Sequence, residues 1–307
     1  MTLQNSALVC GGAGFIGSHL VDRLLADGHN VEVVDNLSTG TLANLSEARS
    51  SGGDLRFHHL DVLAPEFSDL IELRQPAIIY HLALLPPGVT QTSEILSSAS
   101  SLLAVLNAAQ KHKIKKVVVA IPAGLIYGEV PARQLPVKEG REPDPMSVSH
   151  VMANALLDFL IIYRESYDVE FTALAMTSVY GRRQRPSDGV VAAFADSILS
   201  HTDPMIFGSG RQTRDFLFID DAVDALSRAT IKGGGLLINI GTGIQTTIQD
   251  LWALMGEPTT LKAKSVGARH GELQRNAVNS TRARIQLGWS HWTSVRSGIA
   301  ELMEELT

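Results

Sequence analysis

The sequence has one cysteine, Cys10, in 307 residues. That excludes a disulfide framework within the chain and a thiolate metal cluster, and no metal site is expected. No run of Lys and Arg exceeds two residues, and the formal net charge is −6. A nucleic-acid footprint needs a basic stripe, so no nucleic-acid partner is expected. Long apolar runs are missing as well. The longest, near residues 156–163, is interrupted by Asp158 and is too short to span a bilayer, so no membrane partner is expected. Ala7-Leu8-Val9 runs straight into glycines with no leader-like stretch before it, which makes the cytoplasm the expected location. No internal repeat or low-complexity segment occurs. What remains is an ordinary globular balance, 45% apolar and 19% charged, in a chain long enough for one large core or two lobes sharing an interface.

Residues 1–180 alternate short apolar runs with helical patterns. Strands are expected at 7–10, 31–34, 55–60, 77–82, 116–120 and 170–175. Helices are expected at 15–27, 68–73, 93–110 and 147–167. This alternation specifies an α/β fold, a Rossmann-type parallel sheet with helices on both faces. Residues 181–307 are less regular and are expected to form a smaller C-terminal substrate lobe, with some segments returning to the main sheet. Its expected elements are helices at 190–199, 247–255 and 294–305, strands at 205–207 and 236–240, and a stretch from 216 to 228 leading into another helix.

Between the first strand and helix lies Gly11-Gly12-Ala13-Gly14-Phe15-Ile16-Gly17, a G-x-x-G-x-x-G turn. Glycines there allow a tight turn and close approach of a pyrophosphate, while the helix N-terminus offers free N–H groups and a positive dipole end. Asp35 ends the second strand, 18 residues after Gly17. A carboxylate there accepts bonds from both ribose hydroxyls of NAD and repels the 2′-phosphate of NADP. Asp61 ends the third strand, within reach of an adenine amino group. The expected cofactor is NAD, lined by Gly11, Gly14, Phe15, Ile16, Gly17, Asp35, Asn36, Asp61, Val62, Leu82 and Ala83. Cys10, His19 and His81 read as packing residues.

These residues resemble the NAD-dependent epimerase/dehydratase family of extended short-chain dehydrogenases/reductases. The matching stretches include Asp35-Asn36-Leu37-Ser38-Thr39-Gly40, His81-Leu82-Ala83, Ile126-Tyr127-Gly128, Val179-Tyr180-Gly181, Arg214-Asp215-Phe216, Asn239-Ile240-Gly241-Thr242-Gly243 and Leu287-Gly288-Trp289. They occur in family order over nearly the whole chain, and the first is most similar to the UDP-hexose and UDP-uronate 4-epimerases. The resemblance implies a nucleotide-diphosphate sugar as partner, a UDP-sugar above all. Arg214 and Arg269 would clamp the diphosphate, and Phe207 would lie against uracil. A planar guanidinium suits such a clamp because it donates two parallel bonds to phosphate oxygens.

The family's chemistry uses a Ser or Thr, a Tyr, and a Lys four residues after the Tyr. Those places hold Ala123, Ser149 and Ala153 in this chain. The helix at 147–167 contains no lysine. Serine is far too weak an acid to act as the resting base, and Ala153 supplies no charge to tune it. Gly124 and Leu125 stand where the family's dehydratases and decarboxylases place acidic residues, and Ala175 and Ser178 replace an Arg and an Asn.

Two readings follow. In one, the chain is an enzyme acting at sugar C4 with substitute groups. His150 and Tyr127 are the catalytic candidates, and His150 stacks with Asn154 one helical turn on. In the other, it is a catalytically silent scaffold or sensor that binds NAD and a nucleotide sugar. A homodimer is expected. The helices at 93–110 and 147–167 should each cover one face of the sheet, and the second is apolar nearly all round: Val148, Val151, Met152, Leu156, Leu157, Phe159, Leu160, Ile161 and Ile162. One sheet-facing stripe cannot bury that circumference.

Overall fold

The computed structural model describes residues 5–85, 88–257, 259–269 and 271–306. The first half runs β1 (Ser6–Cys10), α1 (Phe15–Ala26), β2 (Asn30–Asp35), α2 (Ser46–Ser50), β3 (Leu55–His59), α3 (Glu66–Arg74), β4 (Ile78–His81), α4 (Thr92–Lys111), β5 (Lys116–Pro122), α5 (Ala123–Tyr127), α6 (Val148–Tyr167) and β6 (Glu170–Met176). The second half adds β7 (Ser178–Tyr180), α7 (Val190–Leu199), β8 (Met205–Phe207), β9 (Thr213–Arg214), β10 (Phe216–Phe218), α8 (Ile219–Ala229), β11 (Leu236–Ile240), β12 (Thr246–Thr247), α9 (Ile248–Gly256), β13 (Lys264–Val266), α10 (Thr281–Gln286) and α11 (Val295–Leu306).

Seven parallel strands form the main sheet in the order β11-β6-β5-β4-β1-β2-β3. Its inner strands β1, β4 and β5 are almost continuously apolar because both faces are covered, whereas the edge strand β3 is not. Side chains alternate between faces, so Ala7 and Val9 of β1 enter one core while Leu8 and Cys10 enter the other. The first core is closed by Leu20 and Leu24 of α1, Ala222 and Leu226 of α8, and Ile299 and Leu302 of α11. The second is closed by Leu102 and Leu106 of α4 and Leu156 and Leu160 of α6.

Here the structure corrects an expectation: α4 and α6 do not take one face each. They lie side by side on the same face, and the opposite face is covered by α1 with two helices from the far end of the chain. Helical periodicity identifies a buried stripe but not which side of the sheet receives it. The buried residues of α6 are Ser149, His150, Ala153, Leu156 and Leu160, while Val148, Val151 and Ile162, like Leu96 of α4, are more than half exposed.

The second half does not fold apart from the first. β11 pairs with β6 in the main sheet, and β10 pairs with β7. Among the described residues, the lobe after residue 181 has two short sheets of its own, β9 with β12 and β8 with β13. Asp215, which is fully buried, ties three segments of the second half together. Its Oδ1 accepts from Thr242 N and Oγ1 at 2.8 and 2.7 Å, and its Oδ2 accepts from Gly243 N at 2.9 Å and Val278 N at 3.2 Å. No described helix is long and apolar enough to cross a membrane.

Candidate active site

Strand order reverses between β1 and β4, and a crevice opens beyond the carboxyl ends of such strands. The glycine turn occupies it. Gly11 adopts φ +81°, closed to most side chains. A Cβ on Gly17 would collide with Gly11 O and lie 2.8 Å from Gly12 Cα, so this helix can approach the turn only as glycine. Gly14 caps α1 without any side-chain hydrogen bond, leaving the first amides of the helix for a ligand. A Cβ on Gly11 would touch Ala83 N at 3.2 Å, which places Leu82 and Ala83 on the opposite lip.

Asp35 is buried, and both its oxygens are oriented by backbone: Oδ2 accepts from Ala13 N at 2.9 Å and Oδ1 from Leu37 N at 2.8 Å. Each oxygen retains acceptor capacity toward a ribose. Asn36 Nδ2 donates to Asp61 Oδ2 at 2.8 Å, and Asp61 Oδ1 accepts from Leu63 N at 2.9 Å. The structure thus gathers the sequence-predicted Gly11, Gly14, Gly17, Asp35, Asn36, Asp61, Leu82 and Ala83 at one end of the sheet, with Phe15 and Ile16 opening α1 and Val62 beside Asp61. Sequence reasoning missed Asn44, whose Nδ2 donates to Ala13 O at 2.8 Å and pins the following loop against the turn. These features fit a dinucleotide: a turn that a Cβ would fill, unclaimed helix amides and a fixed carboxylate.

Beyond the end of β5 the chemistry thins out. Ala123 and Ala153 are fully buried. Ser149 is buried too, and its hydroxyl donates to Val89 O at 2.9 Å. Tyr127 is not poised as a base. Its hydroxyl donates to Asn239 Oδ1 at 2.6 Å, and burial first, then the nearby Glu139, push the phenol pKa up. Asn239 in turn donates to Val137 O at 3.0 Å, so this tyrosine fastens α5 to β11, and it is withdrawn as a catalytic candidate.

His150 lies on α6 facing α5. Its Nδ1 bonds to Ser147 Oγ at 2.7 Å, and its Nε2 is buried with no hydrogen-bond partner among the described residues. Burial lowers its pKa, opposed by Asp144 and by the Gly124 carbonyl, which is near enough to be felt without forming a well-aligned bond. Asn154 does not serve as a second reactive group, because its Nδ2 donates to Ile126 O and His150 O. His81 is structural: Nε2 meets Ser101 Oγ at 3.1 Å, and burial drives its pKa to about 3.

The substrate lobe brings its three candidates together. The Arg269 guanidinium lies 3.8 Å above the Phe207 ring, where the sequence analysis expected a base. Arg214 is mostly buried, and three of its five N–H donors are already engaged. One terminal nitrogen donates to Thr213 O and Leu273 O, each at 2.9 Å, and the other to Glu272 Oε1 at 2.9 Å. Burial lowers its pKa, Glu272 and Glu129 raise it, and the nearby Arg269 lowers it. The Glu272 partner was not anticipated. It lies 58 positions along the chain, and only its adjacency to Arg269 in sequence pointed to the region.

The sequence matches the NAD dependent epimerase/dehydratase family over residues 7–241. A UDP-glucose 4-epimerase of Mycolicibacterium smegmatis is 36% identical, with 97% of each chain covered. Among solved structures, UDP-glucose 4-epimerase of Thermotoga maritima with UDP-glucose is similar with a TM-score of 0.92 and 32% identity, over 98% of each chain. UDP-glucuronic acid 4-epimerase of Bacillus cereus, in complex with UDP-glucuronic acid and NAD, aligns with a TM-score of 0.88 and 25% identity, over 98% of this chain and 100% of that one.

Proposed function

This chain belongs to the NAD dependent epimerase/dehydratase family, and we propose that it binds NAD and a UDP-sugar across the two halves described above while lacking the family's usual acid–base route at sugar C4. One observation carries the reading. A glycine turn with Asp35 and an Arg214–Arg269–Phe207 cluster are both present, yet the family's reacting positions hold buried Ala123 and Ala153 and a Ser149 whose hydroxyl is spent on Val89 O. NAD, when bound, supplies a hydride acceptor. The chain's part is to hold the pyrophosphate on the α1 amides, the ribose on Asp35 and the diphosphate on the arginines. A positioned base is worth roughly 10²–10⁴ in rate, and none of these three residues supplies one. On this reading the chain is a binding member of its family, a scaffold or sensor.

A second reading, slow turnover by a substitute base, is favoured by His150 alone, because its unpartnered Nε2 and lowered pKa keep a neutral imidazole beside Gly124. The same reading of the whole chain makes it a homodimer through the exposed apolar strip of α4 and α6. The test is calorimetric titration with NAD, then with UDP and UDP-glucose on the NAD-loaded protein, followed by NMR of the hexose. Binding without epimerisation supports the proposal. Robust epimerisation that His150→Gln abolishes favours the second reading, and failure to bind UDP overturns both.

A further inference from the structure

Granting a UDP-sugar ligand, we infer that Glu129, Glu272 and Asn276 make the sugar end of this site selective for uncharged hexoses and hostile to uronates. The geometry sets the sugar end between two fixed places. The diphosphate end is Arg214 with Arg269. The reacting end is Ala123-Gly124 with Ser149. The stretch from Glu272 to Asn276 bridges them. Leu273 O accepts from Arg214 at 2.9 Å, while a Cβ on Gly124 would lie 3.0 Å from Leu273 Cδ1 and 3.1 Å from Asn276 Nδ2. Gln274 N donates to Glu129 Oε2 at 2.8 Å, and Gln274 O accepts from Thr213 N at 2.9 Å. A sugar carried by a diphosphate on Arg214 therefore lies against this stretch.

The carboxylates there are Glu272 and Glu129, and the cations are Arg214 and Arg269 at the diphosphate end with the exposed Arg275. Glu272 sits on Arg214, and Glu129 is close enough to raise the arginine's pKa from across the cleft. Among the described residues, no Lys or Arg lies on the segments that converge on the reacting end, residues 82–85, 88–89, 122–125, 146–150 and 177–181. Where the family resemblance calls for a lysine, Ala153 stands fully buried. His150 is held toward its neutral form by burial. Arg275 is exposed, where water and salt screen it.

A neutral hexose brings hydroxyls to this surface, and carboxylates, carbonyls and the Asn276 amide can bond them. A uronate brings a carboxylate that must leave water near Glu129, with Arg214 and Arg269 committed to the diphosphate and Arg275 turned to solvent. Removing a charge from water unpaired, or setting like charges together, weakens binding.

Competition binding to the NAD-loaded protein tests this, with UDP as the reference ligand for every variant. UDP-glucose should bind more tightly than UDP-glucuronate by about ten-fold or more. Glu129→Gln, which keeps an acceptor for Gln274 N, should narrow the ratio, and Asn276→Lys should narrow it further or reverse it by giving the uronate a partner. Equal or tighter binding of UDP-glucuronate by the unaltered protein would overturn the inference, as would a ratio that neither variant moves. Loss of UDP binding itself in the unaltered protein would instead overturn the UDP-sugar reading on which the inference rests, and the inference with it.

Discussion

Replacing Asp35 should destabilise the protein before any cofactor is added. The carboxylate is more than a ribose acceptor, because it ties the glycine turn to the loop after β2 through Ala13 N and Leu37 N. Hydrogen bonds to charged groups contribute about 1.5–3 kcal/mol, and a buried donor left unpaired costs about 1–3 kcal/mol. Ala13 is fully buried, so water cannot replace its lost acceptor, whereas Leu37 is only partly buried and can recruit water. Asp35→Ala should therefore cost about 2–4 kcal/mol, most of it at Ala13. Asp35→Asn keeps one oxygen, which the Ala13 amide will claim, and turns its NH₂ toward Leu37 N, at a cost of about 1–2 kcal/mol. At about 2–4 °C per kcal/mol for a chain of this size, the alanine variant should melt roughly 5–15 °C low and the asparagine variant a few degrees low. The assay is a thermal melt of cofactor-free protein, then NAD titration of each variant. NAD affinity should fall in the same order, and NADP should bind more weakly than NAD to the unaltered protein. An alanine variant that melts with the parent, cofactor-free, would show that the carboxylate does not hold the turn.

Acid should unfold the protein through buried imidazoles. In the unfolded chain a histidine protonates near 6.5, while burial holds His19 to about 4 and His81 to about 3. Both lowered values mean stability that is complete above pH 6.5 and drains as the pH falls toward those values, by up to about 1.4 kcal/mol per pH unit per group; denaturant midpoints from pH 7.5 to 5 that stay level would contradict this. Arg214→Ala leaves Glu272 half-buried and unpaired and should weaken UDP binding by about ten-fold or more. Unchanged affinity in the same titration would remove Arg214 from the diphosphate site. The exposed strip of Leu96, Val148, Val151 and Ile162 should be covered by a second copy. A mass near 33.1 kDa by light scattering at micromolar concentration would refute the dimer.

What was legible in the sequence was local. The glycine turn, Asp35 and the alternation of strands and helices depend on spacings within about one element, and each is found where the pattern put it. What was not legible depends on contacts far apart in sequence. Tyr127 looked available from its motif, but its hydroxyl belongs to Asn239, 112 positions away. Arg214 looked wholly free for phosphate, but Glu272 and two carbonyls already take three of its five donors. The faces of α4 and α6 were misassigned because a 3.6-residue period carries no information about which side of a sheet a crossover takes. The short helix α5 went unseen because five residues give no period at all.

The replaced catalytic positions bear on one more outcome, the effect of restoring them together as Ala123→Ser, Ser149→Tyr and Ala153→Lys. If these residues had left a void, the triple variant would fit and rescue turnover, since such groups act as a unit and single changes recover little. The burial of these positions argues against such a void. Ala123 and Ala153 are fully buried, and Leu84, Leu85 and Val89 are buried nearby, with Val89 O accepting the Ser149 hydroxyl. A tyrosine at 149 must push the stretch around Val89 aside, and a lysine at 153 must enter an apolar core. Forcing larger side chains into a packed site costs about 1–3 kcal/mol, and burying an ammonium beside unaltered neighbours adds to that. The triple variant should therefore melt several degrees low without ligand and recover part of the loss with NAD and UDP-glucose, whose binding would hold the site open. Epimerisation, read by NMR of the hexose, should appear only in the triple variant. A triple variant as stable as the parent would mean that the segment around Val89 yields without cost. One that is destabilised, binds both ligands and still fails to epimerise would place the obstacle in the packing around the sugar, not in the three missing groups.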